Sequence, residues 1–300
     1  MSSPFRRPIP LLLLLLRGFG MGTADLIPGV SGGTVALVTG IYPTLVGVIG
    51  DATRVVTMVV KADLKGAGRS LRRIDWWFLI PLLAGAGVAI VALARVIEYL
   101  LREQPVRTAA VFCGLIAGSL WVAWKIIRSP RFGHFLVALI VGGTAFYLFG
   151  LRSAEALDPA WFVYLIAGAL AICAFILPGV SGAFILLVIG MYQPVLAALN
   201  DPRPAYLATF AMGAAVGLGL FSRLLQWLLD RYHDLVVAVM IGLMLGSFRI
   251  LWPWPNGLGG ESGTGATTLG TPGPDVLVPV ILAILAALVV LGISVRVRRV

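Results

Sequence analysis

The 300-residue chain is 59% hydrophobic and 12% charged, with a mean hydropathy of +0.99; this excludes an ordinary soluble domain, which is nearer half apolar and a quarter charged. The net charge of +10 would suit nucleic acid, but the basic residues form no single patch. They sit mostly in short stretches between apolar segments, where positive charge sets membrane orientation, so one all-α polytopic membrane domain is expected and a nucleic-acid partner is not.

In chain order, the first apolar element, about 9–27, follows Arg6 and Arg7 and begins "IPLLLLLL". It looks like a secretory signal, yet no small-x-small cleavage site follows, and the internal repeat described below requires it. Arg17, Gly18, Gly20, Gly22 and Asp25 interrupt it before the helix-breaking heptad "PGVSGGT" (28–34), which opens a second element at about 33–50. The polar run 51–75 is expected as an inner basic loop, followed by three spans at about 76–101, 108–127 and 134–150. The order then returns: an element at about 160–177, the heptad "PGVSGAF" (178–184), a short element at 183–199, and spans at about 205–229, 235–252 and 276–295. The Gly/Pro-rich stretch 253–275 lacks Lys and Arg and is expected as a flexible outer loop.

This return is a duplication. "PGVSGGTVALVTGIY" (28–42) aligns without gaps on "PGVSGAFILLVIGMY" (178–192), and "GLIAGS" (114–119) on "GLMLGS" (242–247). At the second offset Gly85 falls on Gly213, Arg95 on Arg223 and Trp124 on Trp252. The change of offset is taken up by 51–75 against the short "NDPRP" linker. The repeats are 1–150 and 151–300, each with a broken or re-entrant helical hairpin (about 9–50 and 160–199) plus three transmembrane helices. An odd number of elements per repeat places the halves in inverted topology, the plan of many secondary transporters.

Loop charge supports an N-in, C-in arrangement. The inner side collects Arg6, Arg7, Arg54, Lys61, Lys65, Arg69, Arg72, Arg73, Lys125, Arg128, Arg131, Arg231, Arg296, Arg298 and Arg299, against Arg102, Arg107, Arg152 and Arg203 outside. Trp76, Trp77, Trp161, Trp252 and Trp254 lie at span ends and suit an interfacial belt. Cys113 and Cys173 are expected as packing residues, and His134 and His233 stand singly, so no metal or other cofactor is expected.

The charge pattern does not choose between hairpins and full spans for the first two elements of each half. The interrupted first element and the short second ones, with Gly40 and Pro43 or Gly190 and Pro194, favour hairpins. At a hairpin tip, Ser31, Gly32, Gly33 and Thr34 open a helix whose first N–H groups lack internal partners and carry the positive dipole end. Such a tip suits an anion, phosphate above all; the plainer alternative is a tight turn. Arg95 and Arg223 are costly inside apolar segments, as are Arg17 and Arg249 beside them. Glu98 is positioned to pair with Arg95, whereas Gln226 leaves Arg223 for an anionic ligand or for snorkelling to the interface. Asp25 has Phe175 as its counterpart and is a candidate carrier of a coupling proton.

"ADLIPGVSGGTVALVTGIY" (24–42) with "LPGVSGAFILLVIGMY" (177–192) resembles the polyprenyl-phosphate transporter family, a prokaryotic membrane family. The resemblance implies a flippase of the bacterial cytoplasmic membrane that returns undecaprenyl phosphate or a near relative from the outer to the inner leaflet, in support of cell-wall synthesis. It carries over Asp25, Pro28, Gly29, Ser31, Gly32, Gly33 and Thr34, with Pro178, Gly179, Ser181 and Gly182, as motif positions. Arg95 and Arg223 are expected to assist the phosphate, and a proton or another ion to couple transport. Rival readings are a transporter or channel for a small anion or solute, and a membrane prenyl-pyrophosphate phosphatase. The phosphatase reading lacks machinery: Gly32, not Arg, follows Ser31, and no ExxxE pair lies on an apolar helix. A non-enzymatic role is expected.

Overall fold

The computed structural model describes residues 10–25, 31–60, 63–150, 159–200, 203–254 and 269–297, and these form helices and connections without a strand. The first half holds α1 (Leu11–Asp25), α2 (Gly32–Val38), α3 (Tyr42–Val60), α4 (Leu64–Leu71), α5 (Trp76–Glu103), α6 (Pro105–Trp124) and α7 (Phe132–Leu148). The second holds α8 (Trp161–Ile176), α9 (Gly182–Val188), α10 (Tyr192–Asn200), α11 (Pro204–Arg231), α12 (His233–Gly246), its short continuation α13 (Phe248–Leu251) and α14 (Leu277–Val297). Among the described residues five helices are long and apolar enough to cross a membrane, and the protein is a multi-pass helical membrane protein.

The elements expected at 33–50 and 183–199 are each two helices. Gly40 at φ +74° and Gly190 at φ +73° turn the chain in the left-handed region that side chains resist. Ile41 N–H then bonds to Ala36 O at 3.0 Å and Met191 N–H to Leu186 O at 2.8 Å, closing the same helix-ending motif twice. Both α2 and α9 have seven residues, about 10 Å of helix, well short of a bilayer core. Residues 51–75, expected as a loop, carry the end of α3 and all of α4. Ala67, Ser70 and Ile74 are buried on one side of this segment while Lys65, Arg69, Arg72 and Arg73 stay exposed, so a polar run folds as a surface helix.

Small residues set the helix contacts, and they do so identically in the two halves. A Cβ at Gly18 would meet the Leu82 carbonyl, and one at Gly85 the Leu15 carbonyl; in the second half Gly168 faces Phe210 O and Gly213 faces Leu165 O. These are the positions the sequence repeat superimposes. Backbone approach of this kind drives helix association where lipid removes the hydrophobic incentive. Gly18 and Gly22 of α1 meet Leu82 and Ala86 of α5, one turn on in both, so the two helices run parallel. Leu165 and Ala169 meet Gly213 and Gly217 in the same way, and α8 runs parallel to α11.

The last helix of each half packs on the other half. Gly114 and Gly118 of α6 receive Ala283 and Ala287 of α14, whereas Gly242 and Gly246 of α12 receive Ala138 and Ala145 of α7. Both pairs run parallel. By contrast α6 and α12, which the repeat aligns, cross in opposite senses: Cys113 donates to Leu251 O at 2.9 Å, while Leu120 and Trp121 share a cavity wall with Ile241 and Leu245. These two helices form the centre, each 61% buried over its span, against 17–28% for α5, α11 and α14. The outward faces of the peripheral helices are apolar, Val91 being 85% exposed and Leu277 71%, as contact with lipid demands.

Candidate functional site

The first heptad organises the start of α2. Ser31 is extended (φ −131°, ψ 139°) and its hydroxyl accepts Gly33 N–H at 3.1 Å, the usual cap for a helix whose first donors have no internal partner. Gly32 N–H goes to Asp25 Oδ1 at 2.7 Å, and Thr34 N–H to Ser31 O at 2.9 Å. A Cβ at Gly32 would stand 2.7 Å from the other Asp25 oxygen, so glycine is what lets the carboxylate come this near. The Asp25 carboxyl group thus lies against the first donors of α2, where the helix dipole favours negative charge.

The second heptad meets the first. Thr34 Oγ1 accepts Gly179 N–H at 3.0 Å, Tyr42 OH donates to Ile176 O at 3.0 Å, and Ser31 Oγ donates to Phe175 O at 3.4 Å. Gly33 lies flat against this turn: a Cβ there would be 2.9 Å from Ile176 O and 3.3 Å from Pro178 N. Gly179, at φ +84°, leaves a Cβ no room against Met244 of α12, and its carbonyl accepts the Ser247 hydroxyl. Ser31, Thr34, Tyr42 and Ser247 are all buried, at 3% exposure or less. Away from water each must find a partner within the protein, and the paired turns provide them.

The two copies are not equivalent. Ser181 (φ −98°, ψ 132°) has the same extended backbone as Ser31 but caps nothing with its side chain. Phe175, in the place of Asp25, is half-exposed. Gly182 packs against the Ala171 carbonyl.

Of the residues singled out from sequence, Asp25, Ser31, Gly32, Gly33 and Thr34 come together with Pro178 and Gly179. Ser181 and Gly182 follow directly, and Pro28 and Gly29 lie outside the described residues. Arg95 and Arg223 are not brought to the heptads; both stand on exposed faces of α5 and α11. The Glu98 side chain, expected beside Arg95, lies outside the described residues. Arg249 packs against Gly150 and lies 5.3 Å from the centre of the Phe146 ring. Three contributors were missed from sequence: Tyr42, Met244 and Ser247. Each lies in a repeated block, Tyr42 closing the first and Ser247 ending "GLMLGS", and that recurrence was their signal.

A family model described as undecaprenyl phosphate translocase-like matches residues 21–265. The chain is 42% identical over 243 residues to the polyprenyl-phosphate transporter of Vibrio cholerae serotype O1, covering 81% of this chain and 78% of that protein. It is 31% identical over 258 residues to the polyprenyl-phosphate transporter of Staphylococcus aureus, covering 80% and 85% respectively. No solved structure matches.

Proposed function

The chain belongs to the undecaprenyl phosphate translocase-like family, and from that premise we propose that it transports a polyprenyl-phosphate lipid, returning the carrier from the outer to the inner leaflet of the bacterial cytoplasmic membrane with both termini inside. The single observation that carries the reading is the buried pairing of the heptads, with a carboxylate already seated at the start of α2. A place that holds one anion without a metal suits another, a phosphate headgroup, while the prenyl chain stays on the hydrocarbon side.

In the conformation described, the donors of the first heptad are occupied, so the headgroup enters by exchange. It takes Gly32 and Gly33 N–H from Asp25 and Ser31, and Gly179 N–H from Thr34. Protonation of Asp25 removes the charge that the helix start favours, frees Gly32, and links a proton to the exchange. Ser31, Thr34, Ser181 and the backbone of Gly182 and of the Pro178–Gly179 turn frame the phosphate. Arg95 and Arg223, on the exposed faces of α5 and α11, meet headgroups at the approach rather than inside. Opposite orientation of the halves is supported by the crossing of α6 and α12 and by the parallel α6–α14 and α7–α12 pairs. One half rocking against the other then opens the site to alternate leaflets. No bond is broken, so the role is transport without hydrolysis.

The test is headgroup accessibility in proteoliposomes loaded with a polyprenyl phosphate. The protein is expected to speed transfer of headgroups between leaflets, and Ser31→Ala, Asp25→Asn and Arg223→Ala to slow it at normal protein levels. Full activity in all three variants overturns the site. Flux of inorganic phosphate in place of the lipid, or phosphate release from a prenyl pyrophosphate, would replace the reading with one of its rivals.

A further inference from the structure

Away from the heptads, α6, α7 and α12 enclose a groove of about 480 Å³, within the range of pockets that hold small-molecule ligands, roughly 300–1,000 Å³. Ala117, Trp121, Trp124, Phe135, Leu139 and Leu245 face it, and among the described residues its wall carries no charged side chain. Trp124 and Phe135 meet edge to face with ring centres 6.3 Å apart, joining α6 to α7 across it. Such a wall offers hydrocarbon contact and nothing for a polar solute.

The end of the groove is different. Where α6 hands over to α7, Lys125 holds its Nζ 4.9 Å from the centre of the Trp121 ring, so a cation sits directly on the groove wall. Arg128 and Arg131 follow in the same connection and are exposed. This connection is fixed in place: Asp234, at the start of α12, accepts Arg128 N–H and Ser129 N–H, each at 2.9 Å. Its carboxylate is thereby committed to backbone and to His233, and no carboxylate among the described residues pairs with Lys125, Arg128 or Arg131.

We propose that this groove binds a segment of the prenyl chain of the transported lipid, with its phosphate at Lys125, Arg128 and Arg131. The inference rests on the function proposed above. Charge complementarity selects an anionic lipid, and one groove with one cationic end suits a single-chain phosphate better than a two-chain phospholipid. On the proposed topology the α6–α7 connection faces the cytoplasm, so the groove receives the carrier on the inner-leaflet side after it leaves the heptads.

The experiment uses the full chain in phosphatidylcholine nanodiscs and a short-chain prenyl phosphate carrying a diazirine on its terminal isoprene unit. Illumination is expected to label peptides containing Trp121, Trp124 and Phe135. Ala117→Trp, which fills the groove from an exposed position, should abolish that labelling while leaving any label at the heptads. Charge reversal of Lys125, Arg128 and Arg131 together should weaken it several-fold, and unlabelled prenyl phosphate should compete far better than phosphatidylglycerol. Leu139→Trp serves as a second filling variant should Ala117→Trp fail to fold. Labelling confined to the heptads, labelling undiminished by groove filling, or equal competition by phosphatidylglycerol overturns the proposal. Those results leave leaflet transfer by the unaltered protein intact, whereas loss of the transport reading would show as absence of transfer itself.

Discussion

Thr34 and Gly179 lie 145 positions apart, yet the Thr34 hydroxyl accepts the Gly179 N–H at 3.0 Å. That bond joins the two copies of one motif through a side chain the second copy lacks, since Phe184 stands where Thr34 would repeat. Thr34→Val keeps the shape and removes the acceptor, leaving a buried N–H unpaired at a cost of about 1–3 kcal/mol. The variant should unfold earlier in detergent and transfer headgroups more slowly, whereas Thr34→Ser should behave nearly as the unaltered protein in both measurements.

Asp25 is the acidic partner of Gly32 N–H. Asp25→Asn fixes that position uncharged while keeping an oxygen acceptor. Leaflet transfer in proteoliposomes should then lose its response to an imposed pH gradient, whereas the unaltered protein should respond. A gradient response that persists in the variant would remove Asp25 from the coupling step.

The paired glycines make a symmetric prediction. Gly18→Val and Gly213→Val each drive a side chain into backbone of the neighbouring helix, and fluorescence-detected size exclusion should show loss of the folded peak for both. Gly87 and Gly143 have open space where a Cβ would go. Their alanine variants should elute unchanged and gain slightly in helix stability, by at most about 1 kcal/mol.

Asp234 ties the α6–α7 connection to α12. In Asp234→Ala the amides of Arg128 and Ser129 lose their acceptor, and hydrogen exchange at those two positions should accelerate while the amides of α6 stay protected.

Much of this arrangement is legible in sequence because the chain states it twice. The heptads stand out because a broken apolar segment recurs at matching places in two halves. The break after α2 and α9 was also written in Gly40 and Gly190, although the apolar character of the flanking residues hid it inside one element. Arg95 and Arg223 show where such reading ends. Helices apolar on every side reveal no inward face, so a charge at mid-helix does not say which way it points. The Asp25–Gly32 contact was hidden for another reason: the two stand seven positions apart, and a continuous helix would hold them about two turns, roughly 10 Å, from each other. The crossing of α7 and α14 to the opposite halves has no local signal, because glycine spacing marks a contact without naming the partner.

That crossing sets a timetable for assembly. Chains emerge N-terminus first, so α6 reaches the membrane with its glycine face bare and waits through the whole of the second half for α14. Until then its only shelter is lipid or a membrane chaperone. A ribosome stalled in the Gly/Pro-rich stretch before α14 would leave the Gly114–Gly118 face of α6 uncovered and the nascent protein open to quality-control proteolysis, however well the preceding helices had packed.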